Sequence, residues 1–460
     1  MNITFKSCVI IFLLLLLIGC SKERLDTEIR YPNLPQSYNK NQKDIQVGRN
    51  WKFYINDTKL IEFIDTALNK NFLLQQLEYD IKIKEQELIA TKSFLFPSLD
   101  ASITEKESGT FEESKSVENL SAQLSLGYTI DIWGKLSDSR KKAHIEFLES
   151  KALYEESKQQ LIVDVALLYY EILEVNQLLE LYKKNEKNSL QYYELINSRY
   201  KQGLNTALDT YLAKDSIYDQ QVKMINLKTQ KSQAIYKLEQ MLGSYPKGKI
   251  KVINDFPLLD KTTKLGVPSD LILKRSSLNA AWNALLSADY HLAITHKERL
   301  PSLSLSGSLE DTKNDGIPLV WSLLGNLTAP IFSAGRLKAN EEIAYLELKK
   351  VESNYLDTVY NTFVQIETLI TKEKNLKEEY DLIQKITINA KRSLSLSLNE
   401  YYKGLVEYTT VLNLQESYYN SEASLVQIKR QLIQNKIELY KALGGKFLFE
   451  EDKGIRKDEV

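Results

Sequence analysis

The placement of nine prolines constrains this chain more than any other feature of its 460 residues. They stand at 32, 35, 97, 246, 257, 268, 301, 318 and 330, which leaves proline-free blocks of 148 residues (98–245) and 130 residues (331–460). Both blocks are rich in Leu, Lys, Glu, Gln and Ala. An interior proline costs a helix about 3 kcal/mol, so such gaps are what very long helices require. From 136 to about 202, and again from 337 to about 403, there is neither Pro nor Gly. Roughly 67 residues at a rise of 1.5 Å make rods of roughly 100 Å. Within the first, Leu161, Ile162, Val165, Leu168, Tyr169, Ile172 and Leu173 recur at intervals of three and four, the pattern of a bundle core or coiled-coil seam.

The chain is written twice. At an offset of 201, Tyr154 falls on Tyr355, Tyr200 on Tyr401, Gly203-Leu204 on Gly404-Leu405, and Leu242-Gly243 on Leu443-Gly444. Upstream, Phe96-Pro97-Ser98-Leu99 matches Leu300-Pro301-Ser302-Leu303 at 204. Each copy reads as a helix, two alternating segments, a very long helix that reverses at Gly203 or Gly404, and a return helix ending in Leu-Gly. The alternating segments have a period of two: Leu99, Ala101 and Ile103; Ala122, Leu124, Leu126, Tyr128 and Ile130; Leu303, Leu305, Gly307 and Leu309; Trp321, Leu323, Gly325 and Leu327. One apolar and one polar face over about ten residues suits a membrane β-strand, and equally a soluble hairpin. Polar loops are expected at 105–119 and 310–317. Four strands cannot close a barrel, and an open edge cannot face lipid, so membrane strands would require oligomerisation. Three copies would supply twelve strands.

The expected organisation is a signal peptide at 1–19, a lipid-anchored linker at 20–50, a first repeat at 51–243, a linker at 244–268, a second repeat at 269–444 and a charged tail at 445–460. In the first repeat a β-hairpin is expected at about 98–131 and a helical hairpin at about 136–243; in the second, at about 302–329 and 337–444. The apolar run at 9–18 follows Lys6 and is too short to span a bilayer as a helix, but fits a signal-peptide core. Leu17-Ile18-Gly19-Cys20 resembles a bacterial lipobox, which makes Cys20 the expected lipidated N-terminus and Ser21 a residue compatible with outer-membrane sorting. Several acyl chains together anchor a chain stably.

Other function classes find little support. Sixty Lys+Arg against 61 Asp+Glu leave a net charge of −1, without the electrostatic footprint of a nucleic-acid binder. Two cysteines and three scattered histidines (His144, His291, His296) form no metal-ligand or redox pattern, and no cofactor is expected. No phosphate loop or nucleophile motif is present, so an enzyme is not expected.

Further motifs join these in order: Trp51 with Asn56-Asp57, Asp131-Ile132-Trp133-Gly134-Lys135, Arg199-Tyr200-x-x-Gly203, Val267-Pro268-Ser269-Asp270-Leu271 with Arg275, Pro330-Ile331-Phe332 through Gly335-Arg336, and Leu439 through Gly445. Duplicated and preceded by a lipobox, this series resembles the TolC-like outer-membrane efflux proteins, in particular their lipoprotein, NodT-like branch. The resemblance implies a mainly helical fold with membrane β-structure: a homotrimer whose α-barrel tunnel in the periplasm continues into a twelve-stranded β-barrel in outer-membrane lipid. It implies passive efflux of drugs or small molecules, docked to a periplasmic adaptor and an inner-membrane RND pump. The same fold also serves ABC exporters in type I protein secretion, and a lipid-anchored periplasmic coiled-coil scaffold is the alternative of a different class.

The resemblance also assigns residues. Gly203, Leu204, Gly404 and Leu405 align with the tips that meet the adaptor, although each glycine equally serves as a left-handed turn. Asp209 and Tyr401 align with a hydrogen-bonded pair that latches the resting channel. The arginine expected two residues after Gly404 is Val406, and the positions of the acidic constriction rings are the neutral Thr410 and Asn413. Weak cation selectivity is therefore expected.

Overall fold

The computed structural model describes residues 57–109, 116–252, 256, 275–313 and 319–445. The expected signal peptide, Cys20, the 20–50 linker, Trp51, the Val267–Leu271 motif and the tail beyond 445 lie outside the described residues, as does most of the inter-repeat linker. Elements follow in the order α1 (Thr58–Lys70), α2 (Phe72–Ser93), β1 (Ser98–Gly109), β2 (Ser116–Ile130), α3 (Lys135–Lys201), α4 (Ala207–Met241), α5 (Ser276–Lys297), β3 (Ser302–Lys313), β4 (Val320–Thr328), α6 (Arg336–Tyr402) and α7 (Tyr408–Ala442). The duplication is carried by backbone as well as sequence: α3 and α6 have 67 residues each, α4 and α7 have 35 each.

The chain forms two compact units that do not coincide with the two repeats. Among the described residues, the first unit contains Leu77–Leu153 and Ser277–Val359, and the second contains 57–76, Tyr154–Ser276 and 360–445. Each unit takes one segment set from each repeat, because each copy runs from strands into a long helical hairpin.

The first unit holds a four-stranded antiparallel sheet in the order β1-β2-β3-β4. Its register aligns the alternating residues into rows. Leu99, Leu126, Gly307 and Leu323 stand side by side, as do Ala101, Leu124, Leu309 and Trp321. Between these rows lies a polar one of Asp100, Ser125, Ser308 and Ser322, in which the Ser308 and Ser322 hydroxyls are 2.8 Å apart. A one-residue slip would exchange the faces, so the register is strongly specified wherever one face meets an apolar medium. The chain itself does not cover the apolar rows: Trp321 is 73% and Leu323 74% exposed. The strands run further than the alternation predicted. Residues 105–109, 116–119 and 310–313, expected as loop, are paired strand. Backbone pairing needs no apolar side chains, so a ladder continues past the point where the hydrophobic pattern stops.

Where β2 passes into α3, the Asp131 carboxylate accepts hydrogen bonds from the N–H groups of Leu136 (2.9 Å) and Ser137 (2.8 Å) and from the Ser137 hydroxyl (2.6 Å). These satisfy orphan donors at the helix start. Burial acts to raise the Asp131 pKa, but the bonds from Ser137 and Leu136 and the charge of Lys297 outweigh it and hold the carboxyl below its ordinary range. Trp133 Nε1 donates to the Pro301 carbonyl (2.7 Å), and Lys297 pairs with Asp138 (2.5 Å). The Asp-Ile-Trp-Gly-Lys motif of one repeat is thus tied to the Leu-Pro step of the other.

The second unit is built on a core of Leu60, Ile64, Ile162, Val165, Tyr169, Ile172, Leu238 and Ile437. Each fully buried side chain of this size contributes roughly 1.5–3 kcal/mol. The three- and four-residue spacing on α3 places its apolar stripe there, as expected. Asp57 caps α1 by accepting from the N–H of Lys59 (2.9 Å) and of Leu60 (3.2 Å). Asn71 caps α2 and donates through Nδ2 to the Met241 carbonyl at the end of α4 (3.1 Å). Among the described residues no helix is long and apolar enough to cross a membrane.

Candidate functional site

The two helical hairpins of the second unit reverse by the same device. Gly203 (φ 75°) and Gly404 (φ 73°) occupy the left-handed region. The Leu204 N–H donates to the Arg199 carbonyl (3.0 Å) and the Gly203 N–H to Tyr200 (2.9 Å), and Leu405 and Gly404 repeat the pattern with Glu400 and Tyr401 (both 3.0 Å). This is a Schellman ending, which needs a residue without a Cβ penalty at the glycine position. An added Cβ would meet nothing within 4 Å at either glycine, so conformation rather than crowding requires them. The next residues are left in the open: Leu204 is 60% and Leu405 70% exposed.

Behind the turns lies a core of Ile196, Ala213, Ala390, Leu394, Tyr401, Tyr408 and Val411. Tyr401 packs against Tyr408 (ring centroids 5.5 Å apart) and Tyr402 (6.2 Å). The Arg199 guanidinium sits 5.8 Å from the Tyr401 ring and 5.9 Å from the Tyr402 ring. Burial first, and the Asp209 charge second, push the Tyr401 pKa up to about 12. One level further along, Gln415 Nε2 lies within hydrogen-bond distance of the Ser189 (2.8 Å), Ser216 (3.3 Å) and Tyr419 (3.2 Å) hydroxyls, tying α3, α4 and α7 together.

The expected Asp209–Tyr401 hydrogen bond is not made in this conformation. The Asp209 carboxylate instead accepts from the Thr206 N–H (3.3 Å), while the Asp209 N–H donates to the Thr206 hydroxyl (3.2 Å), a reciprocal capping box at the start of α4. The Tyr401 hydroxyl is buried without a partner among the described residues. Helix capping therefore competes for the carboxylate. The second hairpin has no such device, since Glu407 makes no side-chain capping bond.

Thr410 and Asn413 are exposed on the first turns of α7. Ser417 and Asn420, also exposed, follow at helical spacing, and the exposed carboxylate of Glu416 stands three residues after Asn413 and four before Asn420. Arg199 is the residue that sequence reasoning passed over. In the sequence it stands within a helix-end motif, and its counterpart in the second repeat is the oppositely charged Glu400. The Arg199 guanidinium of the first hairpin thus faces two tyrosine rings of the second.

Comparison with known proteins decides the family. Residues 63–244 and 267–445 match the family described as outer membrane efflux protein. This chain belongs to that family. It is 23% identical over 447 residues to the cation efflux system protein CusC of Escherichia coli O6:H1, covering 94% of this chain and 96% of that one. It is 24% identical over 414 residues to the solvent efflux pump outer membrane protein SrpC of Pseudomonas putida, covering 86% and 87%. Among solved structures, one of CusC superposes with a TM-score of 0.82 at 21% identity, covering 92% of this chain and 100% of that one. The Campylobacter jejuni CmeC outer membrane channel superposes with a TM-score of 0.82 at 20% identity, covering 92% and 94%. The protein is an outer-membrane efflux channel with the TolC-like fold of helical hairpins and a small antiparallel sheet.

Proposed function

We propose that this outer membrane efflux protein works as a homotrimer, the passive exit duct of a tripartite pump for drugs or other small molecules. The observation that carries the reading is the four-stranded sheet, with uncovered apolar rows and unpaired edges at β1 and β4. In lipid each unpaired backbone group costs several kcal/mol, so the edges must be closed by other copies. Three copies supply twelve strands. Cys20 is the proposed lipid anchor. The open Leu204 and Leu405 beside the Gly203 and Gly404 turns are the proposed contacts for a periplasmic adaptor, itself coupled to an inner-membrane RND pump.

Asp209 and Tyr401 are proposed to latch the tip through a bond made in the shut channel and unmade in the conformation described above. Thr410 and Asn413 are proposed to form an uncharged constriction, supported by the exposure of both neutral side chains on the first turns of α7. The primary experiment is electrophoresis of outer-membrane fractions without boiling. A heat-modifiable trimer, with drug accumulation rising on deletion of the gene, is the expected outcome. A monomer without β-structure in that fraction would overturn the proposal.

A further inference from the structure

A cavity of about 400 Å³ in the first unit is lined by Lys92 of α2, by Arg140, Lys141 and His144 of α3, and by Leu88 and Tyr290. Nothing in the efflux reading uses it. Lys141 is held by Asp138 (3.2 Å) and by the Tyr290 ring, whose centroid lies 5.9 Å from Nζ. Asp138 is itself already matched by Lys297 (2.5 Å). Lys92 and Arg140 have no acidic partner among the described residues, and both are exposed. The lining therefore combines an apolar floor with unmatched positive charge, a chemistry that suits an amphiphilic anion rather than a hydrocarbon or a metal ion.

Its position in the chain says where such an anion would come from. Lys92 stands in the last turn of α2, and β1 begins at Ser98. Arg140 is in the second turn of α3, which follows the end of β2 at Ile130. Five rises along the helix place Arg140 only about 8 Å from the start of α3. That is the depth of a headgroup layer, since a bilayer adds roughly 5–8 Å on each side of its hydrocarbon core. The segment joining Lys92 to β1 also exposes the apolar rings of Phe94 (65%) and Phe96 (60%), and girdles of aromatic residues flank the apolar band of membrane β-barrels. Basic side chains just outside such a boundary reach for lipid phosphates.

We propose that this cavity seats the phosphate of an anionic phospholipid in the periplasmic leaflet of the outer membrane, with Lys92 and Arg140 as the principal charges and the Phe94–Phe96 segment against its acyl chains. The proposal rests on the strands spanning the membrane. The test uses the full-length protein in nanodiscs of phosphatidylglycerol and phosphatidylcholine, with retained lipid read by native mass spectrometry. The protein should retain phosphatidylglycerol in preference to phosphatidylcholine. Lys92→Gln and Arg140→Gln should each lower retention about fivefold, and together about 25-fold. Lys374→Gln, an equal charge change in the second unit, should have no effect. Equal retention of both lipids, retention unchanged in the double variant, or displacement of the lipid by millimolar inorganic phosphate would overturn it. Heat-modifiability measured on the same samples separates loss of this site from failure of the strands to insert.

Discussion

Replacing Tyr401 by Phe isolates one hydroxyl whose surroundings give the effect a definite sign. In the conformation described here that hydroxyl has no partner, and Tyr401 is 7% exposed. Phe therefore loses no hydrogen bond there and removes a buried unsatisfied group. In the proposed shut state the same hydroxyl donates to the Asp209 carboxylate, a charge-assisted bond worth about 1.5–3 kcal/mol. Both effects favour the unlatched conformation. At 1.4 kcal/mol per decade, the bond alone shifts the shut-to-open ratio about 10- to 150-fold. Single-channel recordings of the full-length protein in planar bilayers should show the corresponding rise in open probability. Asp209→Asn provides the second leg, because Asn still accepts from the Thr206 N–H and preserves the start of α4. Each single variant should open the channel, and the double variant should be no more open than Y401F alone, since the two substitutions remove the halves of one interaction. An open probability unchanged in Y401F, or single effects that add in the double variant, would refute the latch.

Other expectations follow from the same geometry. Thr410→Asp places a carboxylate at the proposed constriction in every copy, and reversal potentials in a salt gradient should move from weak selectivity to a clear cation preference. Asp131→Ala removes an N-terminal cap of about 0.5–2 kcal/mol and a favourable helix-dipole contact of about 0.3–1 kcal/mol, which should lower the thermal transition seen by circular dichroism. The lowered Asp131 pKa means that its contribution is complete above the ordinary aspartate value near 3.9 and is lost as pH falls through the folded value. D131A should therefore lack that part of the acid limb. For Tyr401 the sign is opposite: a folded pKa raised to about 12 gives a contribution present below the unfolded value near 10 and lost as pH rises through the folded one. Tyrosinate absorbance and helical signal should accordingly change together between those limits.

The long helices were legible because their determinants are local. Proline and glycine act on the backbone within one turn, so their absence over 136–202 and 337–403 predicts the 67-residue α3 and α6 almost to the residue. Strand ends were less legible. Alternation reports where side chains need an apolar medium, whereas a ladder such as Lys106 with Asn119 needs only a partner strand. The tip was half legible. Its glycines, exposed leucines and the neutral Thr410 and Asn413 could be named, whereas the use of Asp209 as a cap was missed although Thr206, three residues before it, carries the capping-box spacing.

Sequence alone determined the duplication, the helix lengths, the strand faces and the family, because periodicity, breakers and ordered motifs are properties of neighbouring residues. Tertiary structure decided that both repeats contribute to both compact units. It also placed Arg199 against Tyr401 and Tyr402, tied Lys297 to Asp138, and gathered Lys92, Arg140 and Lys141 around one cavity. Apart from the adjacent Arg140 and Lys141, these partners lie on different helices and far apart in the chain. Charge and ring contacts act over a few ångströms of space, and only the packing of one helix on another sets which side chains come within that reach.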